Sequence, residues 1–181
     1  VAGRVRPGDA VVVMSCGAFG NLHRRLLSDI GDAVMPAEPE DLAALEQLLE
    51  RGKLSTEGLA DRLSEYTVLR GRHGLSGAIG LERHGRAGLL KDLCVAPERR
   101  GEGLSWLLAE AAVRDAQRRG IAELYMFGVP ETMRTGKNLG FGAVECTELD
   151  DAIKESETVK SAWYSKEGVC LRLDLDEEFR R

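Results

Sequence analysis

The stretch DLCVAPERRGEGLSWLLAEA, residues 92–111, decides how this chain is read. A short apolar strand runs into Pro97, then an arginine pair at 99 and 100, then glycines at 101 and 103. A helix follows, predicted over 103–119 and closed by Gly120. The first turn of a helix leaves backbone N–H groups without intrahelical partners, at the positive end of the helix dipole. Glycines at 101 and 103 let the backbone approach a bulky anion, and Arg99 and Arg100 add charge. Such a turn is a candidate cradle for a phosphate or diphosphate.

Strand patterns lie on either side. YTVLRG (66–71), LSGAIGLERHG (75–85) and AGLLKDLCV (87–95) are separated by short glycine-containing links, the signature of antiparallel hairpins. DAVMPA (32–37) is a short strand, and EPEDLAALEQLLERG (38–52) an amphipathic helix with Pro39 in its first turn and Gly52 at its end. KLSTEGLADRLSE (53–65) reads as loop and short helix. Beyond the long helix, AELYMFG (122–128), GFGAVEC (140–146) and VCLRLDL (169–175) are strands. Residues 129–139 read as irregular, and DDAIKESETV (150–159) as a polar helix. Val169, Leu171, Leu173 and Leu175 share one face by period two. The pattern predicts an α+β fold, a mixed and mainly antiparallel sheet flanked by helices.

The 181 residues suit one ordinary domain with an appendage. A net charge of −5 without a basic stripe argues against a general nucleic-acid binder. No apolar run approaches the ~20 residues of a membrane helix, and no signal-peptide pattern opens the chain, so cytoplasm is the expected location. Cys16, Cys94, Cys146 and Cys170 form no C-x-x-C pair, and His23, His73 and His84 form no compact cluster. The expectation is therefore no metal site and free, buried thiols. His73 and His84 read as exposed turn residues.

At the N-terminus, a strand (9–15), a glycine-rich turn (16–20) and a helix capped by Asn21 occupy GDAVVVMSCGAFGNLHRRLLSDIG. This segment resembles the C-terminal end of murein peptide ligases of the Mur ligase superfamily. Residues 1–31 are accordingly expected to be a strand–helix appendage and 32–181 a separate domain. The opening Val1 fits a piece of a longer ligase–transferase fusion.

The order LCVAPERRGEGLSWLL, GIAELYMFG, NLGFGAVE resembles the GNAT superfamily of N-acetyltransferases. Its acetyl-coenzyme A signature, Q/R-x-x-G-x-G/A after an L-x-V-x-P strand, falls on Glu98-Arg99-Arg100-Gly101-Glu102-Gly103. Both glycines match; Glu98 departs from Gln or Arg. LSTEGLADRL, GAIGLE, LLKDLCVAPERRGEGL and the tail DAIKESETVKSAWYSKEGVCLRLDL are similar to small N-acetyltransferases encoded with arsenic-resistance genes. The acetyltransferase domain of bacterial N-acetylglutamate synthase is similar through the same tail.

The resemblance implies that the backbone of Leu93, Cys94 and Val95 pairs with pantetheine. The amides of Arg99, Arg100, Gly101, Glu102, Gly103, Leu104 and Ser105 would take the diphosphate, with the Ser105 hydroxyl adding to it. The acceptor implied is the amine of a small, amino-acid-like molecule, attacking acetyl-CoA directly in a ternary complex. The family's usual tyrosine acid falls on Gly136 and its usual strand glutamate on Leu89, and neither can move a proton. Glu82 is the preferred base, Asp92 the runner-up. Tyr164 is a candidate substitute for the missing acid, against its reading as a packed aromatic beside Trp163, and the KESETVK segment, otherwise a charged helix face, is a candidate wall of the acceptor pocket. Cys94 reads as a small buried hydrophobe rather than a nucleophile. A different class of function, a degenerate acyl-CoA-binding module serving a cell-wall ligase, fits the missing acid and base. Homodimerisation is left open.

Overall fold

The computed structural model describes residues 32–71, 74–128, 130–145, 148–164 and 169–178. Residues 1–31, with their resemblance to a ligase terminus, lie outside the described residues. So do His73 and Cys146.

Strand β1 (Ala33–Pro36) leads into a single 3-10 turn that starts helix α1 (Leu42–Arg51). The Glu38 amide donates to Asp41 Oδ2 at 2.9 Å and the Asp41 amide to the Glu38 carbonyl at 2.8 Å, a reciprocal cap that fixes the helix start. Leu45, Leu48 and Leu49, spaced for one helical face, are buried. The chain turns away at Lys53, which takes the left-handed φ of +60°. Gly52 suits the helix end, since a Cβ there would stand only 3.2 Å from the Leu49 carbonyl oxygen.

After a 3-10 segment at Ala60–Glu65 come β2 (Tyr66–Gly71), β3 (Gly74–His84) and β4 (Ala87–Val95). They pair antiparallel in sequence order, as hairpin-length links require. Helix α2 (Leu104–Arg118) then crosses over to β5 (Glu123–Gly128), which runs parallel to β4. A connection of this length carrying a helix is what a parallel neighbour needs.

Pro130–Asn138 forms helix α3. The sequence reading of 129–139 as irregular is corrected here. Gly136 and Thr135 weaken helix propensity, but Gly136 is buried against the sheet, so packing decides the conformation. β6 (Gly142–Val144), α4 (Asp151–Lys154), α5 (Glu157–Tyr164), β7 (Val169–Asp174) and a final turn, α6 (Leu175–Glu178), complete the described chain. The predicted polar helix is thus two short ones, the first capped by Asp150 Oδ1 accepting from the Ala152 amide at 2.8 Å.

The seven strands order as β1-β2-β3-β4-β5-β7-β6, with β4/β5 the parallel pair, which bears out the α+β expectation. Helix α2 covers one face, its Leu107, Leu108 and Ala112 packing with Leu81, Leu90, Leu124, Met126, Leu171 and Leu173. On the other face, α1 covers Val68, Ala78 and Cys94, while Ile153 and Val159 from α4 and α5 cover Leu89, Tyr125 and Cys170. Alternation along β7 sends Leu171 and Leu173 to one layer and Cys170 to the other, as the period-two reading predicts.

Candidate functional site

β4 and β5 pair only from Ala87/Glu123 to Leu90/Met126, yet β4 continues to Val95. On its other side β4 carries an extra residue. Ala78 faces Cys94 and Gly80 faces Lys91, so two steps on β3 span three on β4. Asp92 absorbs the surplus at φ +53°, the left-handed region that few non-glycine residues adopt. A bulge of this kind bends and twists its strand, which turns β4 out of the plane it shares with β5. The opening is a cleft of about 960 Å³. Leu93, Cys94 and Val95 form one wall, Met126 and Phe127 another, Thr135 and Asn138 of α3 a third, and Gly101 with Gly103–Trp106 close one end.

That end is the turn from which the sequence reading began. Pro97–Arg99 makes a 3-10 turn, and Gly103 is the N-cap of α2 with no side-chain cap. Gly101 and Gly103 have φ of +84° and +79°, and a Cβ on either would meet no atom within 4 Å. The glycines are therefore demanded by conformation, and the space in front of them is open. The Leu107 amide bonds to the Gly103 carbonyl at 3.3 Å. Among the described residues, no protein acceptor takes the N–H groups of Gly101, Glu102, Gly103, Leu104 or Ser105. These donors lie at the positive end of a fifteen-residue helix, where main-chain N–H groups favour negative charge, which makes the turn a candidate anion site.

The two arginines differ in role. Arg99 pairs with Asp32 at 2.9 Å and Glu102 at 2.6 Å, and donates to Ser76 Oγ at 3.1 Å. Arg100 is exposed and gives Nε to the Val95 carbonyl at 3.4 Å; among the described residues no carboxylate pairs with it. Arg100 is the cation of the turn with capacity to meet a ligand. Glu98 is turned away to Arg51, 2.6 Å distant, so its departure from the usual motif leaves the amides clear.

The candidate proton carriers separate. Asp92 lines the cleft at the bulge, and its Oδ2 accepts from the buried Tyr66 hydroxyl at 2.6 Å. Burial first, then the bond to Asp92, pushes the Tyr66 phenol far above its ordinary range, so it stays a donor. Glu82 is not among the described residues lining the cleft. It sits beneath, on the α1/α5 face of the sheet, with Oε1 2.7 Å from His84 Nε2 and Oε2 3.2 Å from Lys91 Nζ. The Thr158 hydroxyl donates to Oε2 at 3.3 Å, which brings the KESETVK segment against this carboxylate. Lys91 is 1% exposed at its side chain and is shared with Glu65 at 2.8 Å. Burial raises the Glu82 carboxyl, but the Lys91 charge and the hydrogen bonds outweigh it and hold the group below its ordinary value. Glu82 is thus an ionised partner of a buried ammonium. His84, read from sequence as an exposed turn residue, is instead half-buried and engaged by Glu82.

Cys94 is buried with its thiol pushed up to about 12, chiefly by desolvation, so it carries little thiolate. Leu89 is fully buried in the core. At Gly136 a Cβ would stand 2.7 Å from Leu171 Cδ1 and 2.9 Å from Met126 Sδ. The place of the usual tyrosine is filled by packing. The Tyr164 side chain lies outside the described residues. Sequence reasoning missed Tyr66, Lys91 and the Asp32–Arg99 pair. An isolated Lys inside an apolar strand was the available signal for Lys91; the other two are long-range contacts without a local pattern.

Open amides, two bare left-handed glycines and a strand gap lined by main chain and apolar side chains fit a long cofactor with an anionic end. Coenzyme A has that form, and Gly101–Ser105 with Arg100 would hold its diphosphate. Among the described residues, no cluster of His, Cys, Asp and Glu could hold a metal, and no helix is long and apolar enough to cross a membrane.

No protein-family model matches the chain, and no curated protein matches it. Solved structures do. N-acetylglutamate synthase from Neisseria gonorrhoeae, complexed with coenzyme A and N-acetyl-glutamate, superposes with a TM-score of 0.68 at 19% identity, over 80% of this chain and 35% of the synthase. The chain thus spans about a third of that enzyme's length. An acetyltransferase of the GNAT family from Staphylococcus aureus matches with a TM-score of 0.65 at 11% identity, over 80% of this chain and 99% of that one. The ribosomal-protein-S18-alanine N-acetyltransferase of Escherichia coli gives 0.62 at 15% identity, over 80% and 94%. The fold is that of the GNAT acetyltransferases, as the sequence resemblance implied.

Proposed function

We propose that this chain is an acetyl-CoA-dependent N-acetyltransferase that acetylates the amine of a small, amino-acid-like acceptor by direct attack in a ternary complex. One observation carries the reading: five main-chain N–H groups, at 101–105, have no acceptor among the described residues, at a helix start that closes the β4/β5 cleft. Acetyl-CoA supplies an activated acyl group and a thiolate leaving group.

The residues of the chain do the rest. Gly101–Ser105 and Arg100 bind the diphosphate. The free edge of β4 at Leu93–Val95 offers main-chain partners to pantetheine, since β5 has already departed. Asp92, held by Tyr66 at the bulge, takes a proton from the acceptor's ammonium, and the neutral amine so formed attacks the thioester carbonyl. This exchanges the order of the two candidate bases: Asp92 is in the cleft wall, whereas Glu82 neutralises Lys91 below it. Glu82 and Thr158 then form the floor on the acceptor side. A thiolate of ordinary basicity leaves with water as proton source, which accommodates glycine at position 136. A reducing cytoplasmic setting, in which Cys94 stays a thiol, goes with this reading.

The test is thiol release from acetyl-CoA across a panel of amino acids, phosphinothricin-like analogues and peptidoglycan fragments. Turnover on at least one amine, abolished in Asp92→Asn with coenzyme binding intact, supports the enzyme. The filled tyrosine place and Leu89 favour a second reading, an acyl-CoA-binding module attached to a ligase. Tight coenzyme binding with no turnover on any amine would select it.

A further inference from the structure

A turn built for an anion carries two glutamates, and each is drawn off by an arginine. Glu98 pairs with Arg51 at 2.6 Å on the exposed surface. Glu102 lies between the two left-handed glycines and is held more firmly. Arg99 Nε stands 3.0 and 2.9 Å from its two carboxylate oxygens, and Nη2 2.6 Å from Oε2.

The same guanidinium is anchored from behind. Nη1 donates to Ser76 Oγ at 3.1 Å and Nη2 to Asp32 Oδ2 at 2.9 Å, and both Asp32 and Ser76 are buried. The end of β2 is bare to admit this anchor. A Cβ on Gly71 would stand 2.5 Å from Asp32 Oδ1 and 3.3 Å from Ser76 Oγ. Arg99 is therefore balanced by two carboxylates of its own chain, and its planar fork, with donors on three nitrogens, meets three side chains at once.

We infer that Arg99 is a positioning residue. It holds the Glu102 carboxylate on the Asp32 side of the turn, so that an incoming diphosphate meets the open amides of Gly101–Ser105 and not a like charge. The inference rests on the coenzyme reading above and adds that Arg99 acts on the anion through Glu102. Arg99 is kept off the anion by Asp32 and Glu102, whereas Arg100 is left to meet it.

The experiment is calorimetric titration of coenzyme A into the parent chain, Arg99→Gln, Glu102→Gln and the double variant, with thermal melting in parallel. Arg99→Gln weakens binding ~10-fold or more because it frees a carboxylate beside the diphosphate, while Glu102→Gln stays within ~3-fold of the parent. The double variant returns to within ~3-fold of the parent in affinity, yet melts as low as Arg99→Gln, because Asp32 and Ser76 still lack their partner. A double variant that binds as weakly as Arg99→Gln overturns the inference and leaves the coenzyme reading standing. A parent chain that does not bind coenzyme A overturns both. Should Arg99→Gln not fold, Glu102→Asp, too short to reach the guanidinium, is compared with the isosteric Glu102→Asn. Weaker binding by the aspartate alone supports the inference, and equal binding overturns it.

Discussion

The Tyr66 hydroxyl donates to Asp92 Oδ2 at 2.6 Å, joining a buried residue at the start of β2 to the bulge residue that splits β4 from β5. Among the described residues, no other side-chain hydrogen bond engages the Asp92 carboxylate. The bond fixes a carboxylate at the cleft wall and keeps its φ of +53° occupied despite the steric cost. Asp92→Asn keeps the shape and the Tyr66 bond but cannot accept a proton. It should lower kcat by ~10²–10⁴, the usual contribution of a general base, with coenzyme affinity unchanged. Tyr66→Phe should lower kcat less, since it loosens the carboxylate without removing it. Unchanged turnover in Asp92→Asn would return the base role to Glu82.

The cradle is tested at its glycines. Gly103→Asp places a side chain and a negative charge at φ +79°, where a Cβ enters open space in front of the helix start. Losing one charge-assisted hydrogen bond, worth ~1.5–3 kcal/mol, weakens coenzyme A binding by ~10–100-fold. Gly103→Ala adds no charge and should add only left-handed strain, costing ~1–2 kcal/mol of folding stability. Calorimetry on the two variants separates charge from conformation. Equal coenzyme affinity in Gly103→Asp and the parent means that the diphosphate lies elsewhere.

Acid titration reads the cluster around Lys91. The Glu82 carboxyl is depressed in the folded chain, so the native state favours its ionised form. The stability this gives is present above the ordinary value of 4.5 and is lost as pH falls through the lower folded value. His84 and Lys91 contact this carboxylate, and Lys91 also pairs with Glu65. Denaturant unfolding should therefore show Glu82→Gln less stable than the parent at neutral pH. The gap should narrow as pH drops below 4.5. A gap that stays constant with pH would mean that the Glu82 charge does not contribute.

Much of this was legible in the sequence because it is local. The hairpin strands, the α2 start and the glycines at 101 and 103 follow from period-two and period-three-to-four patterns and from turn chemistry. Residues 130–138 were misread because Gly136 and Thr135 speak against a helix that burial of Gly136 imposes. That Asp92 and not Glu82 lines the cleft is not legible locally, because the bulge that carries Asp92 there depends on pairing with β3, a register no local pattern encodes. Arg99 was expected to serve the ligand; its buried partner Asp32 is 67 residues away. Charges that neutralise one another across the fold look alike, in one dimension, to charges kept for a substrate.

Gly136 offers a last test, of whether the missing tyrosine can be restored. A Cβ at this position would lie 2.7 Å from Leu171 Cδ1 and 2.9 Å from Met126 Sδ, both from buried residues. Replacing glycine within a helix gains up to ~1 kcal/mol of propensity. Forcing a phenol between β5 and β7 costs ~1–3 kcal/mol or more in overpacking, so the balance is unfavourable. Gly136→Tyr should therefore lower the melting temperature by several degrees and leave kcat no higher than in the parent. A variant that melts with the parent and turns over faster would show that α3 presents this position to the cleft. Leaving-group protonation would then have been the step this chain lacks.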